Sequence, residues 1–209
     1  MNFLVIEGNI GAGKTTLAKM ISEDYNAQFV GEAFADNPFL EKFYTDPKAY
    51  AFTLEMSFMA ERYSQLMSEL QNRNLFKDFA VADYYFMKSL IFSSVTLSDD
   101  EYKLYRKFFD IIYSRLPRPD LYVYLHKSTQ NLQNQIAKRG RNYEQNIPDD
   151  YLEKISKAYF SYFKQQSEFP VLIIDTNQID FVNNRNHYEK LCSLIFENEY
   201  KYGITRLIM

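Results

Sequence analysis

Five short apolar runs recur along the chain: Phe3–Ile6, Gln28–Val30, Phe79–Ala82, Leu121–Leu125 and Val171–Ile174. Each is too short for a helix and gives way to polar or helical sequence, as expected of strands buried on both faces. Between them apolar positions fall at helical spacing, as Leu17, Met20 and Ile21 do between Thr15 and Asp24. Longer helical patterns cover Asn37–Tyr44, Ala49–Gln71, Ser98–Arg115, Thr129–Lys138, Pro148–Gln166 and Asn184–Glu197. Pro38, following Asn37, and Pro148, following Ile147, fit helix starts. Strands alternating with helices predict an α/β fold in three layers, with a parallel, five-stranded sheet flanked by helices. No repeat or Pro/Gly linker interrupts the pattern, so residues 1–209 read as a single domain. The tail "YKYGITRLIM" carries no motif that assigns it.

Composition sets bounds on this picture. With 209 residues and 46% hydrophobic content, the chain can bury one sizeable core. A formal charge of −3 argues against a general nucleic-acid binder, which needs a basic face. The lone Cys192 excludes an internal disulfide, and His126 and His187 are too far apart to make a Cys/His metal cluster with it. Any metal is therefore expected to be Mg²⁺ arriving with a nucleotide. No apolar run approaches the eighteen or so residues of a membrane span, and no basic leader precedes the first strand. A soluble, cytoplasmic protein is the expectation. The 18 Tyr and 18 Phe, against no Trp, serve mostly as packing, with some tyrosines available to a flat ligand.

Between the first strand and the first helix lies "VIEGNIGAGKTT", in which Gly8, Gly13, Lys14 and Thr15 stand at the spacing of a phosphate-binding loop. Backbone N–H groups over Gly8, Asn9, Ile10, Gly11, Ala12 and Gly13 would cradle phosphate oxygens. Lys14 would reach them, and Thr15, next to Thr16, would place a hydroxyl on Mg²⁺. Three of the six glycines sit here, which suits a loop needing positive φ and close backbone approach.

Ligands of a parallel sheet bind beyond the carboxyl ends of its strands. Those ends supply Glu32 after "QFVG", Asp83 after "FAVA", Lys127-Ser128, and Asp175. Phosphoryl transfer asks for one acid beside Mg²⁺ and another to accept the proton of the attacking hydroxyl. Asp83 is the candidate for the metal side and Glu32 the candidate base. Lys138, Arg139 and Arg141 around Gly140 form a basic segment that could close over a nucleotide as a lid, about residues 138–148.

Taken together, "EGNIGAGKTT", "GEAFADNPFLEKFYTDP", "YAFTLEMSFMAERY", "VADYYFMKSLIF", "RPDLYVYL" and "IAKRGRNYEQNIPDDYLEKI" resemble the deoxynucleoside kinase family, particularly its bacterial deoxyadenosine and deoxyguanosine kinases. The resemblance runs nearly end to end. It implies a P-loop kinase fold and transfer of the ATP γ-phosphoryl group to the 5′-hydroxyl of a deoxynucleoside, purine favoured, with Mg²⁺. It also implies a homodimer, through helices near Ala49–Gln71 and Ser98–Arg115. By resemblance Glu32 matches the general base, and Tyr44 and Glu144 match the pair on the sugar 3′-hydroxyl. Arg62 matches a substrate-site arginine, Asp83 the acid that supports Mg²⁺, and Arg139 and Arg141 the lid arginines at the phosphates. "DTNQIDF", Asp175 to Phe181, looks like the loop that holds the adenine of ATP.

Three positions depart from the family pattern. Tyr84 stands where an arginine follows the metal-side acid, Gln135 stands for the first lid arginine, and Glu55 stands at the base-recognition position commonly held by glutamine. Lys88 or Lys138 could restore part of the missing charge, without the rigid fork of a guanidinium. An ionised Glu55 only accepts hydrogen bonds, which would favour guanine with its two adjacent donors. It could equally pair with Arg62, seven residues on along the same helical face, or with Lys88. Two alternatives stay open at this point: a nucleoside monophosphate kinase of the same fold, disfavoured because Glu32 would repel an acceptor phosphate, and a nucleotide-binding regulatory domain with weak turnover.

Overall fold

The computed structural model describes residues 1–33, 37–72 and 74–208, so residues 34–36 of the "GEAFADNPF" segment, 73 and 209 lie outside the described residues. In chain order the elements begin with β1 (Phe3–Gly8), α1 (Lys14–Asp24), β2 (Gln28–Val30), α2 (Leu40–Thr45), α3 (Pro47–Gln71), β3 (Ala80–Ala82), α4 (Met87–Thr96) and α5 (Asp99–Tyr113). They continue with β4 (Leu121–His126), α6 (Thr129–Arg139), a short 3-10 turn (Asn142–Glu144), α7 (Asp149–Phe163), β5 (Pro170–Asp175), α8 (Arg185–Phe196) and β6 (Gly203–Ile208).

The sheet is parallel throughout, in the order β2-β3-β1-β4-β5-β6. It has six strands rather than the five expected. The sixth is the unassigned tail, whose Gly203–Ile208 pairs residue for residue with Pro170–Asp175. The chain runs from β1 to the β2 edge, and after β3 crosses to β4 and on toward β6. This reversal around β1 is where such sheets open a crevice at the strand ends.

The period of two along each strand divides the core. Phe3 and Val5 of β1, Tyr122 and Tyr124 of β4 and Val171 and Ile173 of β5 join the layer with α3, α4, α5 and most of α7. Leu4 and Ile6, Leu121, Val123 and Leu125, and Leu172 and Ile174 join the layer with α1, α6 and α8. Much of the aromatic content packs the first layer, where Tyr124 meets Tyr159 with ring centroids 4.8 Å apart and Phe86 stacks on Phe109 at 4.9 Å. Most aromatic side chains are thus core rather than ligand contacts. A smaller cluster, Leu40 and Phe43 against Ala51, Leu54 and Phe58, seats α2 on the first turns of α3. Asp46 caps α3, its side chain accepting from Ala49 N–H with Pro47 at the first turn.

Helix α4 was not among the expected helices. It starts four residues after Asp83 and buries Met87, Lys88, Ser89, Ile91, Phe92 and Ser93. Its packing against α3 and α7 brings Lys88 to the strand ends.

Candidate active site

The loop after β1 has the conformation its glycines allow. Gly11 and Gly13 hold φ of 83° and 95°, which L side chains rarely adopt, and a Cβ on Gly11 would lie 2.8 Å from the carbonyl oxygen of Leu132. Gly13 is also the N-cap of α1 and offers no side-chain cap, so the first N–H groups of the helix face outward for an anion. Asn9 fastens the loop. Its amide donates to Leu152 O and Ser156 Oγ of α7, each at 2.8 Å, while its Oδ1 accepts from Ile10 N–H. Lys14 Nζ donates to Asn9 O at 3.0 Å. Burial and then the nearby Lys88 charge bring Lys14 down to about 8, against an ordinary 10.5. A phosphate beside it would reverse that shift.

Glu32 stands at the end of β2 with its side chain only 8% exposed and both oxygens engaged. Arg62 Nε donates to Oε1 at 2.8 Å, and Lys88 Nζ sits 2.5 Å from Oε2. Burial would raise its pKa, but the Lys88 and Arg62 charges outweigh that and hold it at about 2. Arg62 is fixed in turn by Ser89 Oγ at 2.8 Å and by the Phe58 ring, 4.7 Å from its guanidinium carbon. Asp83 joins this group to the phosphate loop. Its Oδ1 accepts from Glu32 N–H at 2.8 Å, and its Oδ2 accepts from the Thr15 hydroxyl. Tyr84 is fully buried in the core, so the cation missing there is not restored by its own side chain. Lys88 brings the charge instead, from four residues further on. Lys138 lines a different cleft.

These groups line one open cavity. Ile10, Lys14, Thr15, Glu32 and Asp83 form one end, Tyr44, Arg139, Arg141 and Glu144 border it from α2 and the lid, and Leu54, Glu55, Phe58, Phe92 and Tyr151 line the rest. Glu55 is 3% exposed. It pairs with neither Arg62 nor Lys88. Thr96 Oγ1 donates to its Oε1 at 2.8 Å, and Oε2 is buried with no hydrogen-bond partner among the described residues. Burial pushes it up to about 7, against the pull of Arg62 and the Thr96 bond. The guanine reading took Glu55 as a carboxylate, and its burial works toward the protonated acid.

The lid segment is continuous with α6, which ends at Gly140 in the left-handed region, φ 73°. Arg139 and Arg141 both reach Glu144, Arg139 through NH2 and Arg141 through NH1 at 3.2 Å. That pairing was not foreseen, because it depends on the 3-10 turn that folds Glu144 back beneath them. Burial, and then Glu144, raise the Tyr44 phenol well above its usual range, so it stays a donor. On the other side of the phosphate loop a second cleft is lined by Gly11, Gly13, Thr16, Gln135 and residues Asn177 to Asn183. Phe181 closes it, 2.9 Å from where a Cβ of Gly13 would be. The loop expected to hold a purine donor thus adjoins the phosphate loop.

The Thr15 hydroxyl and the Asp83 carboxylate are adjoining hard oxygen donors, which fits an Mg²⁺ that keeps waters and phosphate oxygens as its other ligands. Among the described residues no group of three or more His, Cys, Asp or Glu could hold a metal by itself. Phosphate grip and buried carboxylate therefore open into one cavity and share Asp83 as their link. A P-loop phosphotransferase is the class of protein that such a juxtaposition defines.

Comparison with known proteins narrows the class. The deoxynucleoside kinase family model matches residues 4–199, and the chain belongs to that family. It is 37% identical over 199 residues to the deoxyguanosine kinase of Bacillus subtilis, covering 93% of this chain and 96% of the relative. It is 30% identical over 210 residues to the deoxyadenosine kinase of Lactobacillus acidophilus, covering 96% and 97%. The solved deoxyadenosine kinase from M. mycoides with bound dATP matches with a TM-score of 0.80 at 25% identity, over 93% of this chain and 99% of that one. Among the described residues no helix is long and apolar enough to cross a membrane.

Proposed function

We propose that this kinase transfers the γ-phosphoryl group of ATP, with Mg²⁺, to the 5′-hydroxyl of a purine deoxynucleoside, with deoxyguanosine favoured. The observation that carries the reading is Glu32, buried between Arg62 and Lys88 in the cavity that also holds Lys14 and Asp83. Glu32 accepts the proton of the 5′-hydroxyl as that oxygen attacks. Held at about 2, it is a weak base toward a neutral alcohol, so the proton leaves late, as the P–O bond forms and the hydroxyl becomes acidic. Arg62 fixes the carboxylate's direction, and Lys88 supplies the cation that Tyr84 does not. Lys14 and the loop N–H groups hold the donor phosphates, while Arg139 and Arg141 neutralise charge developing on the moving group. Thr15 and Asp83 would hold Mg²⁺, which when bound draws charge from the phosphate oxygens. Tyr44 donates to the sugar 3′-hydroxyl and Glu144 accepts from it. The loop 175–181 takes the adenine of ATP, and the enzyme works in the cytoplasm, where ATP and free nucleosides meet.

Support for a purine comes from the relatives, named for deoxyguanosine and deoxyadenosine, and from a cavity long enough to run from Glu32 to Glu55. The test is a panel of deoxynucleosides with ATP and Mg²⁺, separating nucleoside monophosphate from simple ATP hydrolysis. The purine nucleosides are expected to give 5′-monophosphate, deoxyguanosine with the highest kcat/KM. Hydrolysis of ATP without any monophosphate would sink the proposal.

A homodimer belongs to the same reading. Leu104, Phe108 and Ile111 of α5 are 47%, 43% and 64% exposed and fall on one helical face, within a segment expected to carry the interface. Sedimentation at micromolar concentration should give a dimer, and Phe108→Glu should shift it to monomer without loss of the fold. A wild-type monomer under those conditions removes the expectation.

A further inference from the structure

Of the cavity's carboxylates, Glu32 and Glu144 are ion-paired and Asp83 has both oxygens hydrogen-bonded, whereas Glu55 has no ion pair and one oxygen without a partner among the described residues. Thr96 holds one of its oxygens, and the other is buried, unpartnered and on the cavity wall. Phe58, Phe92 and Tyr151 line the same cavity, a setting for a flat ring rather than for water. Along α3, Glu55 lies seven residues before Arg62 on the same face, a rise of about 10 Å. Arg62 grips the catalytic carboxylate, so a nucleoside whose 5′-oxygen lies at Glu32 has a length that carries its base toward Glu55.

We propose, resting on the nucleoside-kinase reading above, that Glu55 selects between purines by its own proton: the carboxylate takes deoxyguanosine alone, and the carboxylic acid takes deoxyadenosine as well. The chemistry follows from counting donors. A carboxylate offers two acceptors, and guanine answers with N1–H and its exocyclic amine side by side. Adenine offers its amine beside a ring nitrogen lone pair, which faces the second carboxylate oxygen and is repelled. A carboxylic acid has one O–H donor and one acceptor. It can therefore donate to that adenine nitrogen and accept from the amine, and it can also pair with guanine through O6 and N1–H.

Both forms are accessible near neutrality because burial sets this side chain at about 7. The titratable and charged groups that act on it are Arg62 on its own helix, Lys88 from α4, Glu32 from the end of β2, Tyr105 from α5 and Tyr151 from α7. Tyr44 of α2 lines the same cavity. The two cations favour the carboxylate. Glu32 favours the acid but is itself neutralised by those same cations. The phenols stay neutral, since burial holds both Tyr105 and Tyr151 above their usual range. Glu55 is thus left as the group of this set that titrates near pH 7.

The test is the ratio of kcat/KM for deoxyguanosine to that for deoxyadenosine, measured at intervals from about pH 6 to about pH 8.5. Ionisations of ATP, Lys14 and the catalytic groups act on both nucleosides alike and cancel in the ratio. It should rise about tenfold or more with pH in the wild type, as the value of one bidentate base contact suggests. In Glu55→Gln, whose amide has a donor and an acceptor at every pH, the ratio should stay flat and near the wild-type value at low pH. A second readout is calorimetry in buffers of different ionisation enthalpy: at about pH 8 deoxyadenosine should bind with proton uptake and deoxyguanosine without it. A flat ratio in the wild type, or an equal slope in Glu55→Gln, overturns the proposal while leaving the kinase reading intact. If neither purine nucleoside is bound or turned over at any pH, both fall.

Discussion

Replacing Glu32 with Gln should lower kcat by about a hundredfold or more while leaving nucleoside binding measurable. The amide keeps the shape and one acceptor for Arg62 or Lys88, so the loss isolates basicity and charge rather than packing. The same site makes a pH prediction. Glu32 is depressed to about 2, so its carboxylate form is present above that value and lost only as pH falls through it. The pH profile of kcat should therefore show no acid limb in the usual carboxylate range, about pH 4 to 5. Turnover near wild type in Glu32→Gln would falsify its assignment as the base, and an acid limb near pH 4.5 would point to a different carboxylate.

Arg139→Ala should cost a few kcal/mol at the transition state, about a hundredfold in kcat, with a much smaller effect on nucleoside affinity. In the structure Arg139 and Arg141 both rest on Glu144, so each guanidinium is held near the cavity mouth but is already satisfied. Reaching a phosphoryl group means exchanging one carboxylate for another anion, a near-balanced trade that leaves ground-state binding little changed. Arg141→Ala should behave alike, because Glu144 can hold only the partner that remains. Steady-state kcat and KM for both substrates check this. Equal losses in KM and kcat would make these arginines ordinary binding residues.

How far the sequence could be read depended on whether the signal was local. The phosphate loop is spelled by Gly8, Gly13, Lys14 and Thr15 in one stretch, and Glu32 and Asp83 follow from the rule that sites lie beyond strand ends. The sixth strand escaped because apolar residues of "GITRLI" fall on both faces: Ile204 and Ile208 are exposed while Leu207, on the other face, is half-buried. An edge strand need not alternate cleanly, and this one is recognised only by its partner β5. Helix α4 is short and serine-rich, and its Lys88 counts only because tertiary packing swings it onto Glu32. The protonation of Glu55 was illegible for a deeper reason. A carboxylate reads as ionised from sequence alone, and only burial by distant residues changes that.

Asn9 has a mechanical consequence. Its amide ties the phosphate loop to Leu152 and Ser156, in the opening turns of α7, and α7 begins where the lid ends. The helix that follows the lid segment is therefore tied to the phosphate loop itself. A pivot that left those bonds intact would lie between Gly140, with its left-handed backbone, and Pro148, whose ring fixes its φ. A lid hinged this way would carry the Arg141 guanidinium toward a stationary cradle while Arg139, the last residue of α6, stays with its helix, so charge could reach the reacting phosphate without shifting the phosphate itself.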